Sequence, residues 1–170
     1  MTEMDMIRSM VKTAPVNIEA VIRQLVLEVE PDSKLPENIS GQIKRLPEGN
    51  YKISSTAREH SYRQRFTLAH ELGHYVLHKS LIGAGVDENV KYRSTEVGNF
   101  YNTAIEQTHE RQANSFAASI LMPEALVRQE IENDLTDIVS LYNKFKVSKS
   151  AMSWRIKNLG LKDKVTGLSD

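Results

Sequence analysis

A chain of 170 residues can bury one core without disulfide or metal staples, and its apolar and charged fractions, 40% and 26%, are those of an ordinary globular protein. Lys plus Arg number 22 and Asp plus Glu number 22, which excludes a chain-wide field for nucleic acid or anionic membrane and leaves only a local patch open. With no cysteine, disulfides and thiolate nucleophiles are excluded, and any transition-metal site must use His and carboxylates. Residues 1–10 carry acidic side chains and no continuous apolar run, and nothing later approaches a membrane span, so a cytoplasmic protein is expected.

In chain order, residues 15–29 read as an amphipathic helix. Pro15 and Asn17 give a start signal, and Ile18, Val21, Ile22, Leu25 and Val29 fall at helical spacing, with Pro31 to Pro36 ending it. Ile39 to Leu46 and Tyr51 to Ser55 flank Pro47-Glu48-Gly49-Asn50, a hairpin signal. A long helix is predicted from Ser61, with Ser61 and Gln64 as a capping box and Phe66, Leu68, Ala69, Leu72, Val76 and Leu77 as its apolar surface. Lys79 to Thr103, with Gly83, Gly85 and Gly98, reads as a long loop, in which Val90 to Arg93 could form a short strand. Helices follow over Ile105–Leu121, Glu124–Asn133 with Pro123 in the first turn, Asp137–Phe145, and Ser148–Leu159 with Gly160 as C-cap. One domain over 1–170 is expected, with a core over 15–122 and C-terminal helices over 123–163.

The chemistry-bearing string is Phe66-Thr67-Leu68-Ala69-His70-Glu71-Leu72-Gly73-His74-Tyr75, which places His-Glu-x-x-His on the long helix. Residues four apart lie one turn up and roughly 40° from eclipsed, so His70 and His74 can reach one ion together. Glu71 is offset around the helix, beside the ion rather than on it, where it can take a proton from an attacking water. Zinc suits the arrangement as a Lewis acid without redox chemistry.

A catalytic zinc needs a third protein ligand and an open fourth position. The metzincin spacing would put a third His at position 80, which is Ser80. His109-Glu110-Arg111-Gln112-Ala113-Asn114 offers Glu110, with His109 as rival about 100° around the helix. Glu110 is preferred because Asn114, four residues on, shares its face and can accept a proton from the far nitrogen of a ligand His, fixing its tautomer. The small apolar run from Phe116 to Leu121 favours burial against the first motif's helix.

Arg63 to His74, followed by Glu110 to Pro123, resembles the ImmA/IrrE family of zinc metallopeptidases, and the likeness covers roughly residues 15–160. It implies an α+β, zincin-like (gluzincin-like) fold: a small antiparallel or mixed sheet beside the active-site helix, with a helical C-terminal part. It also implies one zinc ion held by His70, His74 and Glu110, Glu71 as catalytic base and Asn114 behind a ligand His. Family members often carry an acidic residue two positions after the ligand Glu. Here it is Gln112, which removes a competing ligand. The resemblance further implies a protein substrate, a helix-turn-helix repressor or similar regulator, encoded separately since the first helix here is expected near Pro15.

Other features have plainer readings. His78 lies about 12 Å along the axis from His70, too far to share one ion, and reads as a surface residue or one standing behind the ligands. His60 has no evident partner. Tyr75, Tyr92, Arg93, Tyr101 and His109 are all candidate donors to a tetrahedral oxyanion, each equally readable as packing. Tyr51 to Ser55 could be an edge strand that pairs with an extended peptide, or an interior strand. Residues 145–160 resemble a helix-turn-helix recognition unit. Val147, Ala151, Trp154, Ile156 and Leu159 instead favour packing on the core, so DNA contact is possible but not favoured. The alternatives to an endopeptidase are a non-proteolytic anti-repressor or toxin-antitoxin module, and a DNA-binding regulator.

Overall fold

The computed structural model describes residues 1–82, 90–94 and 105–168, with the backbone alone for 90–94. The loop expected around Gly83, Gly85 and Gly98 lies outside the described residues, as do Tyr101 and the side chains of Tyr92 and Arg93.

Helix α1 (Glu3–Met10), for which no helix was expected, is held by a reciprocal cap between Thr2 and Asp5, and buries Ile7. Helix α2 (Ile18–Gln24) starts at the Asn17 cap as expected but stops five residues short of Val29. Val26 takes a left-handed conformation (φ 61°) that turns the chain, and Glu28–Ser33 forms strand β1 rather than the end of a helix. Pro31 sits inside β1, which a strand tolerates at a sheet edge, and the pairing register shifts there between Glu30 and Ser33.

Strands β2 (Ile39–Arg45) and β3 (Tyr51–Thr56) form the expected hairpin, with Arg45 opposite Tyr51 and Gly49 (φ 92°) in the turn. Strand β4 (Val90–Ser94) confirms and extends the short strand expected there. The order is β1-β3-β2-β4, with β1 parallel to β3 and the other neighbours antiparallel. The sheet is therefore mixed and β3 is interior. Of the two readings of Tyr51 to Ser55, the peptide-pairing edge is excluded, because β1 and β2 use both sides of its backbone.

Helix α3 (Ser61–His78) begins where expected, but its cap is His60, whose Nδ1 accepts from the Tyr62 amide at 3.1 Å. Gln64 closes no box with Ser61; its amide donates to Asp32 Oδ1 and the Thr56 carbonyl. Every residue from Thr67 to Tyr75 is buried. Such burial all round the helix, in place of one apolar stripe, follows from its position between the sheet and α4 (Gln107–Leu121). Leu77, expected on the apolar surface, is exposed.

Helices α5 (Glu124–Glu132), α6 (Ile138–Phe145) and α7 (Lys149–Asn158) complete the fold, with Asp137 and Ser148 capping α6 and α7. Pro123 is the N-cap of α5 rather than part of its first turn, and Gly160 (φ 71°) follows α7 as expected. Val147, Met152 and Ile156 are fully buried, and Arg155 Nε donates to the Met122 carbonyl. Trp154 departs from the expected packing surface: it is about half exposed. Arg65 on α3 donates to the carbonyls of Phe145 and Lys146, and Tyr62 to Asn143 Oδ1, so the first turns of α3 are tied to the end of α6.

Helix α3 crosses the sheet at Gly41 on β2. A Cβ there would collide with Thr67 Cγ2 and stand 3.2 Å from Glu71 Oε1 and 3.3 Å from the Ser54 carbonyl. Gly41→Ala is expected to destabilise the fold by about 1–3 kcal/mol, the usual cost of overpacking. Adding Thr67→Ser, which deletes the colliding methyl, should recover part of the loss. Denaturant midpoints of the single and double variants check this, and a wild-type midpoint for Gly41→Ala would contradict it.

Candidate metal centre

The functional side chains come from two antiparallel neighbours in contact, α3 and α4. Their approach depends on Gly73: a Cβ there would lie 3.2 Å from both the Cα and the carbonyl oxygen of Ala113, and 3.1 Å from Phe116 Cδ1. The two backbones therefore meet almost directly. Flanking this contact, α3 presents His70 and His74 while α4 presents Glu110 and Asn114.

His70, His74 and Glu110 converge and are all buried. His70 Nε2 and His74 Nε2 are 3.0 Å apart, His70 Nε2 and Glu110 Oε2 3.2 Å, and His74 Nε2 and Glu110 Oε1 2.8 Å. Four-coordinate zinc with bonds of about 2.0–2.1 Å has donor atoms about 3.3 Å apart, so the three groups stand close to the edges of such a tetrahedron. The donor chemistry agrees: two imidazole nitrogens and one carboxylate are a known catalytic set. The cluster can hold a metal ion.

The far side of each imidazole is also engaged. His70 Nδ1 is 2.6 Å from Asn114 Oδ1, an acceptor, so Nδ1 carries the proton and Nε2 turns a lone pair into the cluster. This is the contact expected of Asn114. His74 Nδ1 is 3.0 Å from His78 Nδ1, and His78 Nε2 is 2.7 Å from Gln112 Oε1. His78 is thus buried against His74 rather than on the surface. Burial pushes its imidazole below the usual histidine range, the Gln112 hydrogen bond opposes this, and neighbouring His109 adds to the lowering.

His109 is not a rival to Glu110. Its Nδ1 accepts from the Glu106 amide at 2.9 Å, closing the box that caps α4, and its ring lies 4.8 Å from that of His78. Tyr75 is a packing residue, edge-on to Tyr51 with the Lys79 ammonium over its ring. Glu71 is fully buried, and its Oε1 lies against Gly41. Of the two readings of His78, a surface residue or one standing behind the ligands, the second is the one observed. The signal was the i, i+4 spacing of His74 and His78, which places the second ring behind the first.

A mixed sheet beside a buried helix bearing His70 and His74, completed by Glu110 from the next helix, defines a zincin-like α+β domain. The Peptidase_M78 family model, described as the IrrE N-terminal-like domain, matches residues 37–157, and the chain belongs to that family. No curated protein gives a significant match. Among solved structures, the fold is similar to that of a Mycobacterium tuberculosis transcriptional regulator, with a TM-score of 0.59 and 19% identity. The match covers 91% of this chain and 46% of that one, so the chain spans about half the length of that protein. Among the described residues no helix is long and apolar enough to cross a membrane.

Proposed function

We propose that the chain is a zinc-dependent endopeptidase that hydrolyses a peptide bond in a helix-turn-helix repressor or similar regulator. The observation that carries this reading is the convergence of His70 Nε2, His74 Nε2 and the Glu110 carboxylate at 2.8–3.2 Å, next to Glu71 in a peptidase-family chain. His70, His74 and Glu110 would hold the ion, and Asn114 keeps His70 in the tautomer that turns its Nε2 lone pair into the cluster. Zinc bound there would supply Lewis acidity, bringing the pKa of a water down towards neutrality and polarising the scissile carbonyl. Glu71 accepts a proton from the attacking water and returns it to the leaving amine. Membership of a peptidase family supports the reaction class. The regulator-like fold neighbour supports a regulatory setting only, and the choice of a repressor rests on the family likeness.

The test is cleavage of a helix-turn-helix repressor encoded beside this chain. The zinc-loaded protein should cut it into two fragments; a chelator should stop the cut and added zinc restore it. An intact repressor after incubation with protein of full zinc content would overturn the substrate, and absence of bound zinc would overturn the mechanism.

A further inference from the structure

His78 and Gln112 stand behind His74, and the proposed reaction does not use them. We propose that they are positioning residues that fix the tautomer and orientation of His74, as Asn114 does for His70. This rests on the metal-site reading above.

For His74 to turn the Nε2 lone pair towards His70 and Glu110, its proton must sit on Nδ1. That N–H then needs an acceptor, and the atom 3.0 Å away is His78 Nδ1. A neutral imidazole accepts at one nitrogen only if the other carries the proton, so His78 must be the Nε2–H tautomer. Its Nε2 is 2.7 Å from Gln112 Oε1, and the Gln112 carbonyl can only accept. One proton arrangement therefore satisfies both of these contacts: Gln112 accepts from His78, which accepts from His74, which turns its lone pair inward. If Gln112 lost its acceptor, His78 could adopt the other tautomer and set an N–H against that of His74.

The geometry also explains the two helices' division of labour. Asn114 and Gln112 both lie on α4, so that helix carries a ligand, the outer partner of His70, and the acceptor that ends the His74–His78 chain. The Gln112 side is solvent-facing, so its replacement does not disturb the core.

The experiment measures zinc affinity by competition with a chelator in the full chain. Wild type is compared with His78→Phe, which keeps a ring but removes the acceptor, with His78→Asn, whose side-chain oxygen falls near the Nδ1 position, and with Gln112→Leu. Loss of an outer partner of a metal-bound histidine typically lowers affinity about 10–100-fold. His78→Phe should fall in that range, His78→Asn should recover most of it, and Gln112→Leu should lose about tenfold at the lower end of that range. Imidazole 15N spectra of the zinc-loaded wild type should show His78 protonated on Nε2 and His74 on Nδ1. Wild-type affinity in both His78→Phe and Gln112→Leu overturns the proposal, as does the opposite tautomer of His78. Equal loss in His78→Phe and His78→Asn with no loss in Gln112→Leu also overturns it, because the ring would then serve only as packing. A wild type that binds no zinc overturns instead the metal-site reading on which the proposal stands.

Discussion

Glu71→Gln is expected to lower peptide-bond cleavage by about two to four orders of magnitude, the usual worth of a positioned general acid–base group, while leaving zinc content unchanged. The substitution keeps the shape of a side chain that is fully buried against Gly41, so packing between α3 and β2 is retained. It removes only the ability to take a proton from water and deliver it to the amine. A loss of that size corresponds to about 3–5 kcal/mol of transition-state stabilisation. Single-turnover cleavage of the repressor together with metal analysis checks it. Cleavage at the wild-type rate would remove Glu71 from the mechanism. Full biological activity without cleavage would favour the non-proteolytic anti-repressor.

Glu110→Ala is expected to have the second large effect, this time on zinc rather than on the reaction. Among the described residues the carboxylate is the one anionic donor grouped with the two histidines, and it bridges both imidazoles, 3.2 Å from His70 and 2.8 Å from His74. Its removal should lower affinity by more than the roughly 100-fold cost of losing an outer partner. Stability offers an independent readout. At zinc concentrations about a thousand times Kd, binding should stabilise the wild type by about 4 kcal/mol, a rise in Tm of roughly 8–16 °C for a chain of this size. Glu110→Ala should show little of that rise. A zinc-induced shift equal to wild type would place the third ligand elsewhere.

The site was more legible in the sequence than the sheet that supports it. His70 and His74 were readable because helix geometry converts a four-residue spacing into a shared face, and Glu110 because Asn114 stands one turn beyond it. The failures were long-range. Pro31 reads as a breaker, and only its place at the sheet edge shows why β1 tolerates it. Without β1, nothing in Tyr51 to Ser55 distinguishes an interior strand from an edge. His60 was passed over as a cap in favour of Ser61, because Ser is the commoner N-cap. His78 reads as too far from His70 to share an ion, and it stands outside the group of His70, His74 and Glu110. The i, i+4 spacing made the contact with His74 readable, whereas the link from His78 to Gln112 crosses from α3 to α4, which no spacing within one helix specifies.

The backbone contact at Gly73 and Ala113 has a consequence for which ions the cluster accepts. Side-chain walls can swing outward to admit a bulky guest, whereas two helices touching at their main chains cannot dilate without separating. Calcium asks for six to eight oxygens at about 2.3–2.6 Å, and magnesium for near-octahedral oxygen geometry. A narrow cradle with two nitrogens and one carboxylate offers neither the room nor the oxygens. Discrimination against the abundant hard cations would then come from refusal to swell, and would be lost first in any variant that levers the two helices apart.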